Sequence, residues 1–234
     1  ALAKLLNECE EQGRWPRAMG KPIVALIPKN GAEDEGGMRP IALLPYVYRL
    51  WMCVRKRDVE AWTRGLHGGK CKAAEVLAWE LAARGEAARL SGKFFAAAFL
   101  DCSKCYERVD QEGAHRRAVA TGCNPVIANL AMNMYSKDRI AQVHGSHSKE
   151  VQVNRGMLAG CGFAVHFLKA IIIGILEASP VETRDYVDDM VLHSCSGSKN
   201  QLVVNLQAAI EAVSEGLDGI NQVLNKEKEQ LYIQ

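Results

Sequence analysis

Apolar positions along this chain recur with two periods, and the switches between them mark out the elements. Leu2, Leu5, Leu6 and Cys9 lie at helical spacing and the run stops at Gly13, which predicts an amphipathic helix. KPIVALIPK reads as a strand beginning after Pro22 and RPIALL as a second short strand, with the turn-rich NGAEDEGG between them. A helix is predicted from Pro45 to about Trp62, then a break at GLHGGK, then a long helix across CKAAEVLAWELAARGEAARL weakened at Gly85. KFFAAAFLD is a buried strand. Asp110 to about Gly122 and PVIANLAMNMYS read as helices, the second with Pro in its first turn. RIAQVHGSHSKEVQVN reads as a hairpin turning near Gly145 and RGMLAGCG as a Gly-rich turn. A second hairpin centres on YVDD, an amphipathic helix spans NQLVVNLQAAIEAVSEGLDGINQVL, and QLYIQ is a last strand. This alternation predicts an α/β or α+β domain with helices on one face of a small sheet.

Composition narrows the class without naming a function. The 234 residues are 48% hydrophobic and 24% charged, enough for a sizeable core and far from a disordered chain. The net charge of +2 and pI near 8.1 point to no partner. Between Arg49 and Lys72, however, Arg49, Arg55, Lys56, Arg57, Arg64, Lys70 and Lys72 face only Asp58 and Glu60, which suits a phosphate-facing surface and a solvated helix face equally well. The most apolar stretch, Phe163 to Leu176, is interrupted by His166 and Lys169 and is too short to span a bilayer, so it reads as a buried helix and no membrane is expected. Eight cysteines, scattered singly except for Cys102 and Cys105, imply reduced thiols and an intracellular setting. With Ala1 first and no secretory signal, the chain reads as an excised piece of a larger protein.

The chemistry lies in three carboxylates. FFAAAFL ends in Asp101, at the tip of a buried strand, and Asp188 and Asp189 sit side by side in strand-like RDYVDDMVLHS. Adjacent like charges in a half-buried hairpin are costly unless something positive meets them. Three clustered carboxylates do not remain ionised together without cations. Oxygen-only ligands suit Mg²⁺, and two such ions form the clamp used for in-line phosphoryl transfer.

These residues sit in a longer pattern. YVDD resembles motif C of reverse transcriptases, and FLDCSKCYERVD resembles their motif A. IVALIPKNGAEDEGGMRPIALLPYVYRLW resembles the fingers segment of retroelement reverse transcriptases of the non-LTR and group II intron type. RGMLAGCGFAVHF resembles motif B and LNKEKEQLYI motif D, in the same order along the chain, from about Pro22 to Leu231. The resemblance implies an α+β right-hand polymerase, with fingers and the N-terminal helix over residues 1–93 and a palm over 94–234, its small antiparallel sheet backed by helices and its thumb absent from this chain. It implies an RNA-directed DNA polymerase that adds dNTPs to a DNA primer on an RNA template with two Mg²⁺ ions, Mn²⁺ substituting. Asp101, Asp188, Asp189 and the Cys102 carbonyl would hold the metals. Lys29, Arg39 and Gly160 would meet the nucleotide, Tyr106 would be the steric gate against a 2′-hydroxyl, and Tyr186 would lie at the primer end. Lys228, with Lys226 as rival, would serve the leaving pyrophosphate. A eukaryotic retroelement would place the protein in the nucleus.

The sequence also departs from the family pattern. Motif B usually reads close to R-G-x-x-Q-G-x-P, but Ala159 stands for the Gln and Gly162 for the Pro, and Glu107 stands where motif A commonly has Asp. A decayed or domesticated copy that binds nucleic acid or protein without catalysis is the alternative. CSKC lacks a well-spaced second pair for zinc. An RNA-dependent RNA polymerase would usually carry Asp at the Tyr106 position and Gly or Ser at Val187.

Overall fold

The computed structural model describes residues 1–29, 37–66 and 74–233. Along the chain run α1 (Leu2–Gln12), a 3₁₀ turn (Arg17–Met19), β1 (Ile23–Pro28), β2 (Met38–Leu43), α2 (Tyr46–Arg64), α3 (Ala74–Leu90), β3 (Phe94–Asp101), α4 (Cys105–Arg108), α5 (Gln111–Ala120), α6 (Pro125–Tyr135), β4 (Arg139–Val143), β5 (Ser146–Val151), α7 (Ala164–Glu177), β6 (Glu182–Tyr186), β7 (Asp189–Ser196), α8 (Lys199–Asp218) and β8 (Gln230–Ile233). Most of the expected turn between the first two strands and most of the GLHGGK break, with Lys70 and Lys72, lie outside the described residues.

Local chemistry sets the element ends. Gly13 adopts φ 64°, a left-handed conformation open to glycine, and the Arg14 N–H reaches back to the Cys9 carbonyl at 3.3 Å, closing α1. Asp110 caps α5 by accepting from the Gly113 N–H at 2.7 Å, and Asn124 caps α6 by accepting from Val126 at 2.9 Å, with Pro125 at the first helical position. His144 and Gly145, both at positive φ, make the two-residue turn between β4 and β5.

The described chain forms two compact units, each discontinuous in sequence. The first comprises residues 1–62 and 106–167. Its sheet runs β2-β1-β4-β5, with β1 antiparallel to β2 from Ile23↔Leu43 to Pro28↔Met38 and parallel to β4 from Ile23↔Ile140 to Ala25↔Gln142. Trp15, Tyr48, Trp51 and Phe163 meet with ring centroids 5.3–5.5 Å apart. Glu10 ties α1 to this core by accepting from Trp51 Nε1 at 2.8 Å and Arg55 Nε at 2.7 Å. Arg55 also meets Asp58, and Lys56 meets Glu60, so this part of the basic stretch is neutralised within the protein.

The second unit comprises residues 63–105 and 168–234. Its sheet, β6-β7-β3-β8, is antiparallel throughout. Phe95, Ala96, Ala97 and Ala98 are each 3% exposed or less, so both faces of β3 are covered, in keeping with its reading as a buried strand. Phe95, Ala97 and Val191 pack with Ala88 of α3. Leu202, Leu206, Ala209, Val213 and Leu217 form the buried stripe of α8. A Cβ at Gly216 would lie 2.7 Å from Ile175, so glycine there permits the close approach of α8 to α7. The β6-β7-β3-β8 sheet is the small antiparallel sheet the sequence led us to expect, and the sheet of the first unit, built on the long-range β1–β4 pairing, is additional to it.

Candidate active site

The register of β3 on β7 assembles the acidic cluster. Leu100 pairs with Met190 and Asp101 with Asp189, so these two carboxylates stand directly opposite on one face of the sheet. Tyr186 pairs with Asp189, which leaves Val187 and Asp188 as a two-residue turn. Val187 has φ 62° and Asp188 returns to negative φ, the pattern of a II′ hairpin turn whose first position favours Gly. A β-branched residue there is strained by about 1–3 kcal/mol.

Electrostatics mark the cluster as short of positive charge. Burial raises the Asp188 carboxyl above the usual range, and Asp189 and Asp101 push it further, against the Asp188 backbone N–H and Lys228. Burial and then Asp101 raise Asp189 in the same way. The cation the chain itself supplies is Lys228, whose Nζ donates to Asp101 Oδ2 at 2.6 Å. That hydrogen bond, and then the Asp101 charge, raises the Lys228 pKa and keeps the ammonium protonated. Its side chain is 64% exposed, so solvent screens the pair and the ion pair contributes less than about 1 kcal/mol.

Asn225, which the sequence reading missed, builds the position of Lys228. Its N–H donates to the Asp101 carbonyl at 2.8 Å, its Nδ2 approaches Asp101 Oδ2 at 3.5 Å, and its carbonyl accepts from the Lys228 N–H at 2.9 Å. Ser103 N–H meets the Val223 carbonyl at 2.8 Å on either side of a Cys102↔Leu224 bridge. Strand alternation therefore turns the main chain of Cys102 away from Leu224 and toward the β7 edge.

The remaining candidates, Tyr186 excepted, fall into the first unit. Tyr106 lies in α4, and its carbonyl accepts from the Met157 N–H at 2.8 Å, joining motif A to motif B. Gly156 has φ 86°, and a Cβ there would lie 2.9 Å from the Glu107 carbonyl oxygen. The Gly156 carbonyl accepts from Gln111 at 2.8 Å and Arg139 at 3.1 Å, two supports with no sequence signal. Gly160 lies against β2, where its Cβ would be 3.3 Å from the Ala42 carbonyl, and the Ala42 N–H donates to the Ala159 carbonyl at 2.7 Å. Ala159 thus holds the motif B turn to β2 through its main chain. Lys29 follows β1 and Arg39 lies opposite Ile27 on β2, so both are exposed at the loop end of one hairpin. Tyr186 is 37% exposed at the β6 tip.

Among the described residues, no group of three acidic, His or Cys side chains stands ready as a metal site. The donor set nonetheless fits a hard divalent cation: three carboxylates, two of them with pKa values raised first by burial and then by neighbouring carboxylates, and the main-chain carbonyl of Cys102 next in sequence to Asp101.

An antiparallel sheet with a strand-end Asp facing an acidic hairpin tip defines a palm of the nucleic-acid polymerase type. The chain belongs to the reverse transcriptase (RNA-dependent DNA polymerase) family, whose sequence pattern matches residues 27–234. Its fold is similar to telomerase structures. Apo telomerase from Candida tropicalis, truncated of its C-terminal domain, superposes with TM-score 0.65 at 13% identity, over 94% of this chain and 51% of that one. The C. tropicalis enzyme in complex with a fragment of telomeric RNA gives 0.64 at 12% identity, over 92% and 41%. The Candida albicans enzyme in complex with a telomeric RNA fragment gives 0.61 at 10% identity, over 99% and 45%. The chain therefore spans about half the length of these relatives or less. No curated protein matches its sequence.

Proposed function

We propose that this chain is the fingers and palm core of a retroelement RNA-directed DNA polymerase, which extends a DNA primer on an RNA template with dNTPs. The observation that carries the proposal is the Asp101↔Asp189 register beside the Val187–Asp188 turn. Residues 1–93 would act as fingers and 94–234 as palm. Asp101, Asp188, Asp189 and the Cys102 carbonyl would hold two Mg²⁺ ions, or Mn²⁺, which supply a lower pKa to the primer 3′-hydroxyl and neutralise charge on the α-phosphate and pyrophosphate. Lys228 then has a defined task. Its protonated ammonium leaves Asp101 and donates to the departing pyrophosphate, and its raised pKa keeps that proton available at neutral pH. Lys29 and Arg39, exposed on one hairpin, would bind the triphosphate, Arg39 through its bidentate fork. The Gly160 main chain would lie along the nucleotide, Tyr106 would exclude a 2′-hydroxyl, and Tyr186 would pack at the primer end. The telomerase relative bound to telomeric RNA supports an RNA partner.

The test is primer extension on an RNA template with dNTPs or rNTPs, using the full-length protein. Wild type is expected to incorporate dNTPs in preference to rNTPs, and Tyr106→Ala to admit rNTPs. Incorporation no greater than that of Asp188→Ala would replace this reading with a non-catalytic, nucleic-acid- or protein-binding one. Preference for rNTPs would make the chain an RNA polymerase.

A further inference from the structure

A second place in the molecule gathers cations without matching acids, and it contains none of the candidate polymerase residues. In the first unit, between α1, the segment after it and the end of α6, lies an open cavity of about 580 Å³. Its charged lining is Arg14, Arg17 and Lys137 against Glu8 alone. Glu8 is already shared with Lys4 at 3.9 Å.

The main chain that carries these cations is anchored. The left-handed turn at Gly13 releases the chain from α1, and Trp15 then locks onto α6. Its N–H donates to Asn133 Oδ1 at 3.1 Å, its Nε1 donates to the Leu130 carbonyl at 2.9 Å, and its side chain is buried. Arg14 and Arg17 flank this anchor. Lys137 follows the Ser136 cap of the same α6, so one helix fixes all three positions. The C-terminal end of α6 favours one neighbouring cation, but it does not account for three.

Other cations near this surface are matched: Lys21 meets Asp138 and Glu150, and Arg55 meets Glu10 and Asp58. Among the described residues, no carboxylate lies within ion-pair distance of Arg14, Arg17 or Lys137. Lys137 is pushed down by burial and then by the charge of Lys21, a cost that an incoming anion would remove.

We infer that this cleft binds the sugar–phosphate backbone of a single-stranded RNA. Two arginine forks and a lysine suit successive phosphate oxygens, and an open cleft admits a continuous strand where a closed pocket would admit only a free ion. The inference stands apart from the polymerase reading, and its test uses no catalysis.

Binding of a short fluorescein-labelled single-stranded RNA to the whole chain is followed by anisotropy across a salt series. Each phosphate contact on a single strand contributes roughly 0.7 to the slope of log affinity against log salt. The triple variant Arg14→Gln, Arg17→Gln, Lys137→Gln should lose about 2 from that slope and about tenfold or more in affinity near physiological salt. A control that removes the same charge elsewhere (Lys56→Gln, Lys93→Gln, Arg116→Gln) should stay within about twofold, and the variant Arg14→Lys, Arg17→Lys should keep the slope. Circular dichroism verifies folding of each. Equal losses in the triple variant and the control, or an unchanged slope in the triple variant, overturn the inference. So does thermal stabilisation by inorganic phosphate that only the triple variant loses, with RNA affinity unaltered, since the cleft then holds a free anion.

Discussion

Replacing Val187 with glycine tests whether the acidic turn stores strain. At φ 62° the β-branched side chain costs about 1–3 kcal/mol, which glycine releases. Glycine brings back about 0.5–1 kcal/mol of chain entropy. Removing a half-buried valine side chain forfeits about 1 kcal/mol of transfer energy. These terms nearly cancel, so Val187→Gly should lie within about 1 kcal/mol of wild type. Val24 is the comparison: equally half-buried, centred in β1 between β2 and β4, and at ordinary φ. Val24→Gly has no strain to release and should cost about 2 kcal/mol, a fall of roughly 4–8 °C in Tm for a chain of this size. Differential scanning calorimetry of the two variants separates the cases. Equal losses in both would refute the strain argument. The primer-extension rate should fall in Val187→Gly despite unchanged stability, because a turn held in one conformation positions Asp188 and a relaxed one does not.

Glu10 should carry a pH signature. Its folded pKa is lowered first by the Arg55 hydrogen bond and also by Trp51, so its contribution is present above the unfolded pKa and is lost as pH falls through the folded one. Glu10→Gln should flatten stability against pH below about pH 5 in urea titrations, and Glu10→Ala should cost about 1–3 kcal/mol by stranding the buried Trp51 N–H. Gly156→Ala, with its Cβ driven against the Glu107 carbonyl, should lose at least about 1–3 kcal/mol from backbone strain, read as a lower Tm. Lys228→Met should change stability by less than about 1 kcal/mol, because the pair with Asp101 is solvent-screened, yet slow primer extension about 10²–10⁴-fold, measured in single turnover.

The strands that carry Asp101, Asp188 and Asp189 were legible because their signals are local: a buried run ending in an acid, and a β-rich segment folded at YVDD. The helix starts near Asp110 and Pro125 and the Gly145 hairpin were legible for the same reason, whereas the caps at Asp110 and Asn124 emerged only with the structure. What the sequence hid is long-range or conformational. The parallel pairing of Ile23 with Ile140 depends on chain crossing that no periodicity encodes. Asn225 acts through main-chain bonds that any residue type could supply in part, so its identity gave no signal. Positive φ at Val187 runs against the preference of valine itself, so propensity gave no sign of that conformation. Lys226 rivalled Lys228 in the sequence, and the turn from Asn225 to Lys228 brings Lys228 to Asp101.

The central claim is that Asp101 on β3 and Asp188 at the hairpin tip act as one centre. Single-turnover primer extension by Asp101→Asn, Asp188→Asn and the double variant measures this directly. Residues that act as a unit are strongly non-additive. Each single substitution should cost at least about 10³-fold, and the double variant no more than about tenfold beyond the worse of the two. Losses that multiply, or either single variant within about tenfold of wild type, would contradict the account.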